Sequence, residues 1–421
     1  MAGMEVAPPE IFESAKEPRP ISSTTRLVSI VSQTGAVSQG SKLVFQIPNG
    51  GNSYIKPNSM YLRFNVTCTN PVGAQVSYQF PTRDASALFS RFTLSYGSQQ
   101  IEQLNNYNQW SSHLLTHAAS SGYVTNDARI LSFCGSGAAA AGANYTATNN
   151  IIPVLSGFFA NRAVPQFLFS SPFLVEFDLV ANAVEAIYDV LGANAPTGVQ
   201  IDANATLCFE QIVVDASYVE RVRSAVQQGA LWQSTINNVL ALQVSHAQSI
   251  NYNIGVNLSS IRGLFWTTRV ASTGIANTAF QQGNTNLARL YLDGRLINQY
   301  NLDSGAVQYA EMNRALGNLF DTNITSNAVL GSKVVRDAGG AADTTIIVPV
   351  AIDRTNLAST FYLGGINVNR FNDSSLVMCG QSAQQIQFEY GSTVANGTLY
   401  IYVVYDSLVM VDGNGAMSIQ K

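Results

Sequence analysis

The chain has 421 residues, enough for two domains with cores of ordinary size. Apolar residues make up 46% of it, whereas Asp, Glu, Lys and Arg make up only 11%, against about 25% in an average soluble protein. The net charge is −4 and the basic residues are scattered, which argues against a protein that wraps nucleic acid through its phosphates. So few charges are typical of a β-rich protein largely covered by copies of itself, although adhesins and carbohydrate-binding sandwiches share this profile.

Residues 1–25 predict an N-terminal arm. Four prolines, at positions 8, 9, 18 and 20, discourage regular structure, and residues 11–16 allow one short helical turn. The arm holds four acidic residues against Lys16 and Arg19, so it is mildly acidic. It lacks the basic-then-apolar pattern of a secretory signal, and the chain has no run of about 18 uncharged apolar residues. We therefore expect neither a cleaved signal peptide nor a membrane-spanning helix.

Residues 26–215 predict a first antiparallel β-sandwich. Short apolar runs, such as 27–31 and 60–66, alternate with turn-forming segments rich in Gly, Pro and Asn. Residues 104–117 carry apolar side chains near helical spacing. The unit ends with TLCFEQIVVD at 206–215, whose β-branched and aromatic residues predict a strand packed in a sheet.

Residues 216–229 predict the clearest helix of the protein. Their apolar side chains fall three to four positions apart, and Gly229 is a suitable stop. We interpret this helix as the connector to a second sandwich at 230–415, which is followed by a short tail at 416–421. Within the second unit, residues 307–319 form another stretch compatible with a helix.

The two units resemble each other in the order of their features, which indicates an internal duplication. Four pairs of markers occur in the same order at offsets between 188 and 197 residues. The sequence therefore predicts an all-β protein with two tandem antiparallel sandwiches and short helices in the connections. The pairs are Gly97 with Gly294, 152–154 (IPV) with 348–350 (VPV), 173–175 (FLV) with 361–363 (FYL), and 206–215 with 398–406 (TLYIYVVYD).

No metal or nucleotide site is predicted. The chain has no glycine-rich phosphate loop and no HExxH motif. His113 and His117 are four residues apart on a possible helix, but the sequence nominates no third ligand, and His246 is remote in the chain. The four cysteines, at positions 68, 134, 208 and 379, have no ligand spacing, so we interpret them as reduced thiols.

No catalytic pair is predicted either. Glu176, Asp178, Glu210 and Asp215 could do glycosidase chemistry only if the fold brought two of them about 5–10 Å apart. In alternating strands such residues more often mark the solvent face or a contact between subunits. Tryptophans can stack on a sugar ring, but in apolar runs core packing is the more common role. The tryptophans are Trp110, Trp232 and Trp266. We therefore assign no catalytic, cofactor-binding or metal-binding residues and expect no enzymatic activity.

The chain resembles the double jelly-roll major capsid proteins of tailless icosahedral DNA viruses. The shared features are two tandem sandwich units, a connecting helix, an N-terminal arm and few charges. This lineage includes adenovirus hexons and the coat proteins of lipid-containing bacteriophages. The resemblance covers about residues 25–415, and its cues are architectural rather than a diagnostic motif. It rests on FSRFTLSYGSQQIEQ with RLYLDGRLINQ, IIPV with IVPV, and TLCFEQIVVD with TLYIYVVYD. It implies two eight-stranded jelly-roll sandwiches.

The resemblance also implies a biological role. A homotrimer of such subunits presents six similar lobes, which form a pseudo-hexagonal capsomer that tiles the icosahedral shell of a virion assembled inside the host cell. The implied partners are further copies of the chain, penton and minor capsid proteins, and an internal membrane near the arm, with no sequence-specific binding of nucleic acid. The chain lacks long inserted loops, so we expect no tall towers but leave room for a modest crown from 120–165 or 320–345.

Two other interpretations remain open at this stage. The coat protein of a small RNA or single-stranded DNA virus usually carries a basic arm that neutralises phosphates, whereas this arm is acidic. A carbohydrate-binding or adhesin-type sandwich, such as a viral spike or fibre, would more often show a signal peptide or a fibrous repeat. Neither feature is present in the sequence.

Overall fold

The computed structural model describes most of both predicted units. The residues described are 5–6, 23–73, 75–80, 84–118, 132, 136–138, 140–183, 186–189, 196–246, 248–270, 280–281, 285–298, 302, 305–316, 332–335, 346–349, 363–369, 378, 380–392 and 397–421. The helical turn predicted at 11–16, the start of the first predicted crown segment (120–131) and most of the second (320–345) lie outside these residues.

Among the described residues of the first part of the chain, strands dominate, joined by three α-helices and two turns of 3-10 helix at Ala85–Leu88 and Gln166–Leu168. The helices are α1 (Tyr107–Ala118), α2 (Gly157–Asn161) and α3 (Ala216–Gln227). The strands are β1 (Glu5–Val6), β2 (Ser23–Val31), β3 (Val37–Ser38), β4 (Lys42–Ile47), β5 (Ser53–Ile55), β6 (Tyr61–Thr69), β7 (Gln75–Gln79), β8 (Phe89–Tyr96), β9 (Gln99–Asn105), β10 (Ser136–Ala138), β11 (Asn144–Pro153), β12 (Val164–Pro165), β13 (Phe173–Leu179), β14 (Tyr188–Asp189), β15 (Gly198–Ile201) and β16 (Thr206–Val214).

The second part repeats this composition, with one described α-helix, α4 (Gly305–Leu316). Its strands are β17 (Leu231–His246), β18 (Ser249–Ile254), β19 (Leu258–Val270), β20 (Phe280–Gln281), β21 (Thr285–Leu292), β22 (Arg295–Leu296), β23 (Ser332–Val335), β24 (Ile346–Pro349), β25 (Gly364–Asn367), β26 (Gln381–Ala383), β27 (Ile386–Ser392), β28 (Gly397–Val411) and β29 (Met417–Gln420).

Each part is a sandwich of eight main strands divided between two sheets. Numbered 1 to 8 along the chain, the strands have the order 1-8-3-6 in one sheet and 2-7-4-5 in the other, which is the order of a jelly roll. The first sandwich pairs β2–β16–β6–β11 with β4–β13–β8–β9, and the second pairs β17–β28–β19–β25 with β18–β27–β21–β22. These pairings are antiparallel. The prediction of two tandem antiparallel eight-stranded jelly-roll sandwiches is confirmed.

The closing segment that occurs twice in the sequence, at 206–215 and 398–406, forms the eighth strand of each sandwich. In the first sandwich the segment ends at Asp215, directly after β16. The Asp215 carboxylate caps α3 by accepting a hydrogen bond from Ser217 N at 3.4 Å. In β28 the matching Asp406 lies inside the strand, buried, where Ser260 Oγ donates a hydrogen bond to it at 2.9 Å and Arg262 lies 3.6 Å away. β28 continues past Asp406 to Val411, where β29 pairs with it. The segment predicted as a tail therefore contains a strand.

The paired glycines occupy the same place in both sandwiches. Gly97 joins β8 to β9 and Gly294 joins β21 to β22, so both lie in the turn between strands 4 and 5. A helix follows strand 5 in each sandwich, α1 in the first and α4 in the second. Helix α1 agrees with the helical spacing of apolar residues at 104–117, and α4 overlaps the stretch at 307–319 that is compatible with a helix. The connecting helix is also present as α3, and its buried face consists of Val219, Val222 and Val226.

The other two marker pairs do not match in topology. Residues 152–153 end β11, which is strand 6 of the first sandwich, whereas β24 at Ile346–Pro349 pairs, within the described part of the chain, with β23 in a separate two-stranded sheet. Phe173 begins strand 7, but Leu363 directly precedes β25, which is strand 6. Residues 361–362 lie outside the described residues. These correspondences were wrong because short apolar triplets recur in any β-protein and carry no information about pairing.

Two apolar clusters form the core of the described part of the chain. One lies inside the second sandwich, around Trp266, Phe388 and Tyr390. The other fills the first sandwich and extends across to Trp232, Phe265 and Tyr402 of the second. Cys68 and Cys208 are buried and unpaired by disulfides, which agrees with the reduced thiols expected. Within the described residues no helix is long and apolar enough to cross a membrane.

The turn between β21 and β22 generates a prediction about stability. Asp293 and Gly294 have φ values of 50° and 76°, the left-handed pair required by a two-residue hairpin turn. A methyl group on Gly294 would contact nothing within 4 Å, so Gly294→Ala tests conformation alone. We expect Gly294→Ala to lower the free energy of unfolding by about 1–2 kcal/mol, measured by urea denaturation. Gly255→Ala is the matched control, because Gly255 also has open space but no positive φ. Equal losses in both variants would contradict the prediction.

Candidate functional site

The histidines do not form a metal site with other described residues. His113 and His117 both lie on α1 as expected, and His113 is buried, while His246 is at the end of β17. Among the described residues, no group of three or more His, Cys, Asp or Glu side chains could hold a metal ion.

The four carboxylates singled out in the sequence are distributed over ion pairs and a helix cap. Glu176 and Asp178 lie on β13 beside Lys42, at 3.4 Å and 4.0 Å, and Arg91 also contacts Asp178. Glu210 lies on β16, in the other sheet, 2.5 Å from Lys56. Glu176 and Asp178 lie on one face of β13 and share Lys42, while Glu210 pairs with Lys56, so these carboxylates bridge neighbouring strands through basic partners.

The three tryptophans are all buried. Trp266 lies inside the second sandwich, with its ring centroid 5.4 Å from that of Phe388. Trp110 and Trp232 instead lie where the two sandwiches meet. The expectation of core packing is confirmed, and it directs attention to this contact, which we call the junction and define by the residues described below.

Aromatic packing forms the centre of the junction. Trp110 of α1 lies with its ring centroid 4.9 Å from that of Tyr402 on β28 and 5.6 Å from that of Phe265 on β19. The Tyr402 hydroxyl donates a hydrogen bond to Gln109 Oε1 at 3.2 Å, so its one polar atom is satisfied inside the contact. The outer face of the second 1-8-3-6 sheet is thereby covered by the strand-5-to-6 helix of the first sandwich.

Backbone contacts fix the junction beside these rings. The short helix α2 lies against β17 so closely that a Cβ atom on Gly157 would be 2.2 Å from Asn237 O. Asn161 Nδ2 donates a hydrogen bond to Thr235 O at 3.0 Å, and Arg162 Nη1 donates another to Gln233 O. Only glycine permits this approach, because any other side chain would begin inside the neighbouring peptide group.

A third set of contacts ties the ends of the second sandwich to the first. Trp232 at the start of β17 packs against Phe158 and Phe169, with centroid distances of 6.3 Å and 5.8 Å. The Tyr96 hydroxyl donates a hydrogen bond of 2.6 Å to Gly415 O, in the loop before β29. The junction therefore joins the sandwiches at several separated points, which resists both sliding and rotation.

One buried carboxyl lies in the junction. Glu102 on β9 accepts hydrogen bonds of 2.6 Å from Ser156 Oγ and from Phe158 N at the start of α2. Burial raises the pKa of Glu102 from its usual 4.5 to about 7, against these hydrogen bonds, which favour the charged form. Burial, and next the charge of Glu102, raise the pKa of Tyr405 to about 12.

A crevice of about 230 Å³ follows the junction between the sandwiches. Apolar side chains such as Phe92 and Leu114 line it on one side, and Asn238 and Val404 on the other. Glu102 is the one titratable side chain among its lining residues. A single carboxyl without a second acid, base or nucleophile does not make a catalytic constellation.

No protein-family model matches the sequence, and no curated protein matches it. Solved structures do. A quasi-atomic model of the PBCV-1 virus capsid is 13% identical, with 97% of this chain and 99% of that one covered at a TM-score of 0.59. The Faustovirus major capsid protein is 9% identical, with coverage of 94% and 91% and a TM-score of 0.60. The mavirus major capsid protein is 12% identical, with coverage of 94% and 90% and a TM-score of 0.52.

These alignments run through both sandwiches and the junction, because each covers more than nine-tenths of this chain. The comparison proteins are double jelly-roll major capsid proteins. This chain has the double jelly-roll fold. At such low identity the likeness concerns the arrangement of strands and not individual side chains, so the residues of the junction must be derived from this chain alone.

The sequence predicts part of the junction between the two sandwiches. It placed Trp110 and Trp232 in cores, but it could not assign them to a contact between sandwiches. It missed Glu102, because a carboxylate two residues from another polar side chain in a strand has the pattern of a solvent-facing position. It also missed Gly157, since a glycine after a serine is an ordinary turn signal. Only the docking of α2 on β17 gives these two residues their importance.

The close approach at Gly157 generates a prediction for the double jelly roll. Gly157→Ala would place a methyl group against Asn237 O, so α2 or β17 must shift. We expect a loss of about 1–3 kcal/mol in the free energy of unfolding, measured by urea denaturation, as for other overpacked sites. Gly255→Ala again serves as the control. A Gly157→Ala variant as stable as the wild type would contradict the prediction, because it would show that α2 and β17 can move apart without cost.

Glu102 generates a prediction about pH. Because its pKa is raised in the folded state, folding favours its protonated form. This stabilisation is complete below pH 4.5 and is lost as the pH rises through about 7. The difference between the usual pKa of 4.5 and the folded-state pKa of about 7 corresponds to roughly 3 kcal/mol in the free energy of unfolding, at about 1.4 kcal/mol per pKa unit. We expect Glu102→Gln, which keeps the shape without the charge, to remove this part of the pH dependence. Urea denaturation of both proteins near pH 5 and pH 8 measures it, and identical pH profiles would contradict the assignment.

Proposed function

We propose that this protein is the structural major capsid protein of an icosahedral virion, with a homotrimer as its capsomer. The observation that carries the proposal is the junction, which holds two similar jelly rolls side by side as one block. A protein with a single sandwich needs no such contact, and an enzyme built on this fold would need a reactive cluster. The rigid pair of sandwiches is suited to being a building unit.

The geometry of a trimer follows from this pair. Three copies related by a threefold axis present six similar lobes, so the capsomer approximates a hexagon. Hexagonal blocks pack without gaps into a flat facet, which is what the face of an icosahedral shell requires. Closed cyclic symmetry is also the common way in which identical chains saturate their contacts. The solved structures with this fold named above are capsid proteins, which supports the same role.

Composition supports a surface covered by other copies of the chain. Charged residues amount to 11% of the sequence, and charged side chains are depleted at the centres of protein interfaces. In the proposed shell the partners are further capsomers, penton and minor capsid proteins. The boundaries proposed for the subunit are an arm at 1–25, sandwiches at 26–215 and 230–415, and a connecting helix between them.

The arm completes the proposal. Residues 5–6 pair in parallel with residues 231–232 at the start of β17, so the arm begins beside the second sandwich. We place the arm on the inner side of the shell, near an internal membrane where one is present. Its acidic balance is consistent with the absence of sequence-specific nucleic-acid binding.

The oligomeric state of the purified chain tests the proposal. We expect size-exclusion chromatography with light scattering to give about three times the 45.2 kDa of one chain. Negative-stain images of the same peak should show blocks with six lobes. A protein that stays monomeric over a wide concentration range, forms no shells and binds glycans would contradict the proposal and favour the adhesin interpretation.

A further inference from the structure

The crevice between the sandwiches has the size of a site for a small molecule. Its volume is about 230 Å³, and its walls come from both sandwiches. The first sandwich contributes apolar side chains such as Phe92 and Leu155, and the second contributes Val239 and Val404. A dry apolar cavity of about 150 Å³ can hold one benzene molecule. The crevice can therefore hold one aromatic ring, or an aliphatic body of similar size, with a short side chain.

Polar groups also line the crevice. Glu102 and Asn238 are buried there, with 6% and 5% of their surface exposed. Gln103 and Asn161 belong to the same lining but are exposed, so the crevice reaches the solvent. An apolar cavity with a few convergent polar groups and an opening is the usual form of a ligand site.

The Glu102 carboxylate has no cationic partner in this crevice. Its hydrogen-bond donors are neutral groups, namely Ser156 Oγ and the backbone amides of Gly157 and Phe158. An ionised carboxylate offers about four acceptor positions, so three donors do not saturate it. None of the described lining residues is Lys, Arg or His. Burying a carboxylate without an opposite charge is costly, and this cost raises the pKa of Glu102.

The cations on neighbouring strands are committed to other partners. Asn237 lines the crevice and accepts a hydrogen bond of 3.0 Å from Arg262 Nη1, but that guanidinium lies 3.6 Å from the buried Asp406. On β8, next to the strand of Glu102, Arg91 pairs with Asp178. The charge of Glu102 is therefore not balanced from behind the crevice walls.

The other titratable groups around Glu102 do not supply a positive charge. Burial raises the pKa of Tyr107 on α1 and of Tyr405 on β28, and the charge of Glu102 raises both further, so both phenols stay neutral. Helix α2 contains no titratable side chain, and β17 contains His246 at its far end. His113 of α1 is buried but does not line the crevice. The crevice thus presents one unbalanced negative charge inside an apolar wall.

We propose that the crevice binds a small organic cation, a primary amine on an apolar body the size of one ring. The ammonium group would pair with Glu102, and the body would lie against Phe92, Trp110 and Val404. Charge complementarity favours this class, because an anion would be repelled and a neutral molecule would leave the buried carboxylate unpaired. Since the walls belong to both sandwiches, a bound amine would also stabilise the junction. The inference does not depend on the proposed role in a capsid.

Two matched probes test the proposal on the full chain. Phenethylamine carries the proposed ammonium group, and 2-phenylethanol has the same body without the charge. Ligand-observed NMR titrations at pH 5 and pH 8 measure both dissociation constants. An alkylammonium group has a pKa near that of Lys, about 10.4, so phenethylamine stays charged at both pH values. We expect it to bind at least about tenfold more tightly at pH 8, because Glu102 loses its proton as the pH rises through about 7.

The neutral probe and the pH dependence separate this site from other sites. The affinity of 2-phenylethanol should be the same at pH 5 and pH 8. Exposed carboxylates are already ionised at pH 5, so an amine held on the surface would show no such change. Absence of phenethylamine binding at millimolar concentration and pH 8, or equal affinity at both pH values, would overturn the proposal.

Variants locate the site. Glu102→Gln should weaken the binding of phenethylamine at pH 8 at least about tenfold and remove its pH dependence. Glu176→Gln is the matched control, because Glu176 pairs with Lys42 outside the crevice, and it should bind as the wild type does. Ala160→Leu fills the crevice while keeping Glu102, and should abolish binding even if Glu102→Gln proves too unstable to measure. Binding of phenethylamine as tight as in the wild type by either crevice variant would overturn the assignment.

Discussion

The junction constrains everything else in this protein, because it is a contact between two backbones rather than between flexible side chains. Gly157 approaches Asn237 so closely that no side chain fits between them. Trp110 and Tyr402 fill the space beside this approach, and Trp232 anchors the far end. A continuous apolar cluster crosses from one sandwich into the other as a result. The two jelly rolls therefore have one relative orientation.

A buried carboxyl inside such a contact needs an explanation. Glu102 receives hydrogen bonds from the start of α2, so it holds that helix against β17 while its own charge is disfavoured by burial. Replacing it by an apolar residue would free the amide of Phe158 and the hydroxyl of Ser156 inside the protein, which costs more than the hydrogen bonds contribute. Glu102 therefore positions α2 within the junction, and its protonation makes the stability of the junction depend on pH.

The two sandwiches differ in what covers the outer face of their 1-8-3-6 sheets. Both sandwiches have the same strand order, yet the outer face of one 1-8-3-6 sheet is aromatic and covered by α1, while the edge strand of the other carries the exposed side chains of Leu27 and Val31.

The sequence by itself determined the fold class, the duplication, the closing strand and the helices after strand 5. These features follow from local periodicity and from turn residues such as Asp293 and Gly294, which act over a few positions. It misplaced the marker pairs at 348–350 and 361–363, because strand pairing depends on partners far along the chain. Only the tertiary structure decided that Glu102 is buried, that Gly157 is a contact and that Leu27 faces outward. Burial is a property of what a residue packs against, and in a β-protein those partners are remote in sequence.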